Sequence, residues 1–449
     1  MKPGIKVLST AIAFAALQSS VAQVAFAPVT NYPASSIPYS VAAADVNGDG
    51  KVDLICANEG SSKLMILTNN GNGIFGSNVS YTLIKGERSV LAVDVNADGK
   101  VDLVCQGEGN LTVLTNNGSG GFVSAGNHVV GYSNYGWFVA TDVNGDGRVD
   151  LVCPGIGNPL MMLTNAGNGM FAAAPSPPST PGTSWFALAA DVNGDGKTDL
   201  IDVDSTNSFG YLRILTNAGD GTFALCSTNA LATSWPGVGT TVDINGDGRM
   251  ALVVPDNSSG SGTTLTVWTN RGDGIFGSNA TYTVTHGPYC VIAADIEGDG
   301  RSDLICGYSG GSTLSVWTNN GSGGFGSNST YTVALNPGSI AAADVVGNGK
   351  LDLITANLSA NNLSVLLNTS TFPPPATTPS LAFKSSGNGL VVSWPSASAG
   401  WSLQQNPNLM TMNWSPSGYN GYGISDDGTN KSLIVKPTTG TIFFRLLHP

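Results

Sequence analysis

Apolar and polar positions along this chain recur with a period of about 49 residues. In the first copy a run of small apolar residues, Val41-Ala42-Ala43-Ala44, enters the polar, glycine-rich stretch Asp45–Lys51. The chain leaves that stretch as an apolar, β-branched run, Val52-Asp53-Leu54-Ile55-Cys56. About twenty residues beyond each polar stretch, a third apolar run meets an Asn/Gly turn and a fourth run that opens with Phe. The run Leu64–Phe75 sets this pattern, and 111–122, 160–171, 212–223, 265–276 and 314–325 repeat it. Short apolar runs between turn residues predict strands, and an Asn/Gly turn between two of them predicts a hairpin. Four such strands per repeat predict one blade of a propeller.

The repeat aspartate falls at Asp45, Asp94, Asp142, Asp191, Asp243, Asp295 and Asp344, which predicts an all-β, seven-bladed β-propeller. The seventh copy stops at Leu363–Asn368 without its Phe strand. Val24–Tyr32 resembles Ile74–Tyr81, so the N-terminal segment is expected to complete the last blade and close the ring. Residues 1–22 read as a signal peptide, with Lys2 and Lys6, an apolar stretch Val7–Leu17 and a small-residue cleavage site Ser20-Val21-Ala22. The propeller spans 23–368 and a Pro/Thr linker 369–380. Alternating strands over 381–449 predict a small immunoglobulin- or fibronectin-like β-sandwich. No run is long enough to span a bilayer as a helix.

The polar loops carry the most definite chemistry. Loop positions 1, 3, 5 and 9 hold Asp45, Asn47, Asp49 and Asp53, then Asp94, Asn96, Asp98 and Asp102, then Asp142, Asn144, Asp146 and Asp150. The set continues with Asp191, Asn193, Asp195 and Asp199, and with Asp295, Glu297, Asp299 and Asp303. Calcium takes hard oxygen ligands of this kind, so about five Ca²⁺ sites are expected. The fifth loop loses its last carboxylate to Ala251 and is expected to be weak or empty. The seventh, with Val346 and Asn348, is expected to be empty. EF-hands are excluded, since position 12 holds Cys56, Cys105, Cys153, Asp202, Val254, Cys306 and Thr355 rather than Glu.

Charge changes this picture little. Of 30 acidic residues 20 lie at these loop positions, so the net charge of −12 is mostly ligand charge, and 18 Lys and Arg leave no footprint for nucleic acid.

The metal loops together with Phe75-Gly76, Phe276-Gly277 and Phe325-Gly326 resemble the FG-GAP/VCBS repeat family over residues 24–368. That resemblance implies a seven-bladed, integrin-α-like propeller with calcium between its strands. The "GAP" half is absent, replaced by Cys56-Ala57-Asn58, Cys153-Pro154-Gly155 or Thr355-Ala356-Asn357, which argues against integrin-type partners. Residues 381–449, with Trp394-Pro395 and Phe443-Phe444-Arg445-Leu446, resemble terminal modules of secreted proteins from Verrucomicrobia and relatives.

Cys56, Cys105, Cys153 and Cys306 occupy one repeat position and are expected to be buried free thiols, with Cys290 and Cys306 as an alternative disulfide. Arg271-Gly272-Asp273 is explained by its place in a turn. Trp268 and Trp317 replace core leucines. Tyr39, Tyr135, Trp137, Trp185, Trp235 and Tyr289 precede the first strand of their blades, on the face opposite the metal loops. They suit a glycan or an extracellular protein ligand, or they plug blade junctions. No nucleophile, zinc or phosphate motif appears, and His128, His286 and His448 lie in unrelated contexts. Glu59, Glu87, Glu108, Asp202, Asp204 and Asp256 remain as acids outside the loops. The reading is an exported bacterial monomer that binds or adheres without catalysis; the alternative is a polysaccharide lyase-like enzyme.

Overall fold

A computed structural model of the chain describes residues 24–370, apart from 84–85, 131–136, 156–157, 176, 178–182, 206–209, 234 and 259–261. It also describes 381–386, 389–395, 402–406, 415–416, 425–426, 430–435 and 443–447. The expected signal peptide, most of the linker and Tyr135 lie outside these residues. Each repeat forms a four-stranded antiparallel sheet, and seven of these sheets form the propeller. Blade 1 runs outward from the axis as Pro38–Ala44, Asp53–Asn58, Lys63–Asn69 and Phe75–Thr82. The innermost strands of blades 2 to 7 are Ser89–Val93, Val139–Thr141, Thr183–Ala190, Thr240–Val242, Pro288–Ala294 and Pro337–Ala343. Small residues such as Ala42, Ala43 and Ala44 suit this position because seven strands converge on the axis.

The ring closes as expected. Thr30–Pro33 pairs with Asn362–Leu366 as the fourth strand of blade 7, with Tyr32 opposite Leu363. Phe26 bridges Asn368, just as Phe75 pairs with Asn69 in blade 1.

The core lies between blades rather than within any one of them. Asp53–Asn58 is buried along its whole length because both of its faces are covered. Side chains alternate across a strand, so Leu54 and Cys56 pack toward blade 7 with Ile354 and Leu363, while Ile55 packs toward blade 2 with Leu103 and Leu114. The same alternation decides the cysteines, all six of which are free. Cys290 and Cys306 lie on neighbouring strands, opposite Gly307 and Val291. Their side chains enter different blade junctions, so no disulfide forms. Cys226, on the outer strand of blade 4, is the exposed one. Trp268 packs beside Phe186, and Trp317 packs against the junction holding Phe325.

The strands described beyond residue 380 form one four-stranded and one three-stranded sheet, with Val392, Trp394, Leu403 and Leu433 buried together. Among the described residues no helix is long and apolar enough to cross a membrane.

Candidate metal loops and the aromatic end of the channel

Each repeat loop joins the innermost strand to the second strand. Gly48 and Gly50 adopt φ of 76° and 80°, a left-handed backbone that lets successive N–H groups turn inward. Asp45 Oδ1 accepts the Gly48 N–H at 2.7 Å and Oδ2 accepts the Gly50 N–H at 2.7 Å. Asn47 Oδ1 accepts from Asp49 at 2.9 Å, and Asp49 Oδ1 from Lys51 at 3.0 Å. Asp142 and Asp191 hold their glycines in the same way, and Asp94 and Asp295 hold Gly99 and Gly300. Position 7 is basic in all five complete loops. The heads of Lys51, Lys100, Arg148, Lys197 and Arg301 lie 3.2–3.9 Å from the position-5 carboxylates. Exposed pairs of this kind add little stability.

Position 9 has a further duty. Asp53 is fully buried, with Oδ1 accepting the Asn69 N–H at 2.8 Å and Oδ2 the Val46 N–H at 3.3 Å. Asp102, Asp150, Asp199 and Asp303 repeat both bonds. So does Asp352, in the loop that lacks ligands at position 3. This aspartate is therefore a strut between the loop and the third strand wherever it occurs. Burial pushes all six carboxyls up, against the pull of those two N–H groups.

The loops also join blades. Asn116 Nδ2 donates to the Val46 carbonyl of blade 1 at 2.8 Å, and Asn69 Nδ2 to Val345 of blade 7 at 2.7 Å. Asn165, Asn217, Asn270, Asn319 and Asn368 make the same bond to Val95, Val143, Val192, Ile244 and Ile296. The Asn of the Leu-Thr-Asn strand thus clasps the preceding blade's loop all the way around the ring.

As a cation site the loops offer a hard oxygen set. A carboxylate has about four lone-pair positions, so the two backbone bonds to Asp53 leave it capacity for a metal. Among the described residues no three His, Cys, Asp or Glu side chains are already gathered around one point, so a cation would have to draw Asp45 and Asp49 inward. Blade 6 comes closest to a metal site. Glu297 Oε2 is buried with no partner. Burial, followed by repulsion from Asp303 and Asp299, raises Glu297 to about 7. Burial likewise raises Asp303 to about 7.

The inner strands begin at the opposite end of the channel. In several blades the residue six before the repeat aspartate is bulged out of register, as at Pro38/Ser40, Ser184/Phe186 and Pro288/Cys290. A bulge re-aims its side chain, and here it presents Tyr39, Trp185 and Tyr289. Tyr39 and Tyr289 share a hydrogen bond between their hydroxyls although blade 7 lies between them. Blade 7 has Gly338 at this position, where Leu358 packs so closely that a side chain would collide with it. Trp185 and Trp235 pack at 5.0 Å between ring centroids, tilted by 48°, and Trp235 is 49% exposed. Trp137 instead bridges Phe186 along the backbone.

An FG-GAP-like repeat model matches residues 45–105, 94–153, 142–201, 191–254, 243–306 and 295–355, which together span most of the ring. The chain belongs to the FG-GAP-like repeat family. Among solved structures, this FG-GAP propeller is similar to an Agrocybe aegerita lectin that recognises non-reducing terminal N-acetylglucosamine. The two are 22% identical, the match covers 72% of this chain and 86% of the lectin chain, and the TM-score is 0.47. The BBS1N chain solved with ARL6DN is 13% identical over 79% of this chain and 98% of its own, at a TM-score of 0.55. That likeness is one of fold alone. No curated protein is significantly similar to the chain.

Arg88 in this FG-GAP ring escaped the sequence reading, whereas the acids outside the loops were named there without their partners. Arg88 stands at the bulge position in blade 2. It pairs with Glu59 and lies 5.7 Å over the Tyr39 ring, and the signal for it was its alignment with Tyr39. Asp202 accepts the Ser184 hydroxyl and Asp204 pairs with Arg213, all buried in blade 4. Asp256 takes the Ser258 hydroxyl. These acids are engaged with neighbours in the fold.

Proposed function

We propose that this protein is an exported, monomeric, calcium-braced binding module. It takes a glycan or an extracellular protein ligand on the aromatic end of its channel. The observation carrying this reading is the Trp185–Trp235 pair, half open to solvent, at the end opposite the metal loops. Tilted, partly exposed rings offer a large apolar face that loses little conformational freedom on binding. Loops 1 to 4 and 6 would hold calcium through the side chains at positions 1, 3 and 5, with the position-9 carboxylate at the base. Bound calcium would offset the repulsion among those acids, and the unpartnered Glu297 oxygen supports this assignment in blade 6. A glycan array and an extracellular-protein array probed with the full secreted chain, in calcium, test the reading. Binding without turnover, weakened at least tenfold by Trp235→Ala, supports it; turnover of a bound polysaccharide, or binding indifferent to Trp185 and Trp235, overturns it.

A further inference from the structure

Blade 5 carries its exposed indole on a frame that other blades use for other residues. Eight residues before the repeat aspartate stand Ile37, Gly287 and Asn336 in blades 1, 6 and 7, and Trp235 in blade 5. In all four the carbonyl of this residue accepts an N–H from just beyond the second strand. Glu59, Ser309 and Leu358 donate at 2.8–2.9 Å, and Asn257 donates to Trp235 at 3.2 Å. Blade 5 adds a second donor to the Trp235 carbonyl, the Ser258 N–H at 3.2 Å. Ser258 holds φ of 35°, in the left-handed region that a residue with a side chain occupies only when its surroundings hold it there. Its hydroxyl donates to Asp256 Oδ1 and lies 3.4 Å from the Thr233 hydroxyl, which in turn accepts the Trp235 N–H at 3.0 Å. Trp235 is thus bracketed at both its N–H and its carbonyl, while the residue stays 49% exposed.

Asp256 ends this bracket and is out of character for its position. Thirteen residues after the repeat aspartate, blades 1, 6 and 7 carry Asn58, Tyr308 and Asn357, all buried. The hairpin that follows encloses residues 59–62 in blade 1 but the longer 257–263 in blade 5, and Asp256 is only half-buried. Side chains alternate across its strand, so it follows Leu252 and Val254 toward the junction with blade 4, the junction against which Trp185 packs. Among the described residues Asp256 is engaged at Oδ1 alone, by Ser258, and Oδ2 is left for a ligand. An indole face takes the C–H face of a sugar ring, and a carboxylate, an acceptor only, takes hydroxyls at the rim of that ring. An anionic sugar would bring like charge against it, which an interface penalises.

We propose that Asp256 is the polar partner of the Trp235 platform. Its Oδ2 accepts a hydroxyl of an uncharged sugar unit stacked on the indole, and its charge turns uronate-bearing glycans away. This rests on the binding-module reading and narrows it to neutral glycans.

Asp256→Asn tests the proposal, because it keeps an acceptor for the Ser258 hydroxyl and removes the charge. Neutral gluco-, galacto- and manno-configured trisaccharides, and glucuronate-containing counterparts, are titrated into the full chain and the variant by calorimetry. Tryptophan emission reports whether the platform itself is unchanged. The native chain should bind a neutral trisaccharide about tenfold or more tighter than its glucuronate counterpart. The variant should bind the neutral one about tenfold more weakly and discriminate by about threefold or less, the loss expected when a charged acceptor becomes a neutral amide. A role confined to holding Ser258 would leave that discrimination in place. Unchanged neutral binding or unchanged discrimination in a folded variant overturns the proposal; so does a native chain that prefers the glucuronate ligand, a result that needs no variant. If Trp235→Ala abolishes binding while Asp256→Asn leaves it intact, this inference fails and the binding-module reading survives. If no trisaccharide binds, the inference fails and the protein array decides the broader reading.

Discussion

Replacing Asp352 by Ala separates the two duties of the position-9 aspartate. Loop 7 lacks a ligand side chain at position 3, so any loss there reflects the strut alone. The Asp352 carboxylate holds the Val345 N–H at 2.9 Å and the Asn368 N–H at 2.7 Å. Alanine strands both donors in a buried setting, at about 1–3 kcal/mol each. The carboxyl's own burial partly offsets this, because a raised pKa reports a charged form held at a cost. The net expectation is a loss of about 3 kcal/mol, read from urea unfolding of the full chain. It should be equal in excess calcium and in EDTA, whereas Asp53→Ala should lose more in calcium than in EDTA. Blade 5 is a natural precedent. It carries Ala251, yet Asn270 still clasps Val192 at 2.8 Å, so the fold tolerates one missing strut. A loss below about 0.5 kcal/mol for Asp352→Ala, or one seen only when calcium is present, would refute the strut.

Three further outcomes are expected. EDTA should lower the melting temperature of the full chain and Asp49→Ala should loosen chiefly blade 1, as local hydrogen exchange would report; an identical melt in chelator would rule out bracing by calcium. Glu87 is raised from its ordinary value of 4.5 to about 8 by burial, so the folded state holds its proton more tightly than the unfolded chain. Stability should therefore fall as pH rises from about 4.5 to about 8 and then level off. Glu87→Gln should remove that fall and gain a few kcal/mol at pH 9, checked by denaturant unfolding against pH. Among the cysteines, Cys226 alone should react with a thiol reagent in the native state. The other five are buried, and burial pushes their thiols up, so they should react only on unfolding.

Much of this architecture was legible because it is written seven times. The loop aspartates set the blade count, and the Phe-less seventh copy, matched against Val24–Tyr32, showed where the ring closes. The free cysteines followed from symmetry, with the alternation of strand faces removing the Cys290–Cys306 alternative. The position-9 aspartate was legible only as a potential ligand. Its backbone partners, Val46 and Asn69, are ordinary residues whose N–H groups carry no sequence signal. Arg88 and Gln106 were hidden for the opposite reason, and Glu87 was legible only as an acid outside the loops: each is a single departure from the repeat, and only packing reveals whether such a departure is exposed or buried.

Local composition was enough to specify the strands, the turns and the acid-lined loops, because each depends on side-chain pattern and glycine content within a few residues. It also specified their number and order. The meeting of Tyr39 with Tyr289, the clasp of each loop by the next blade's Asn, and the burial of Glu87 and Gln106 in blade 2 were decided by closure of the ring. Those contacts join residues tens to hundreds of positions apart, and their geometry exists only once neighbouring blades bury their faces against one another.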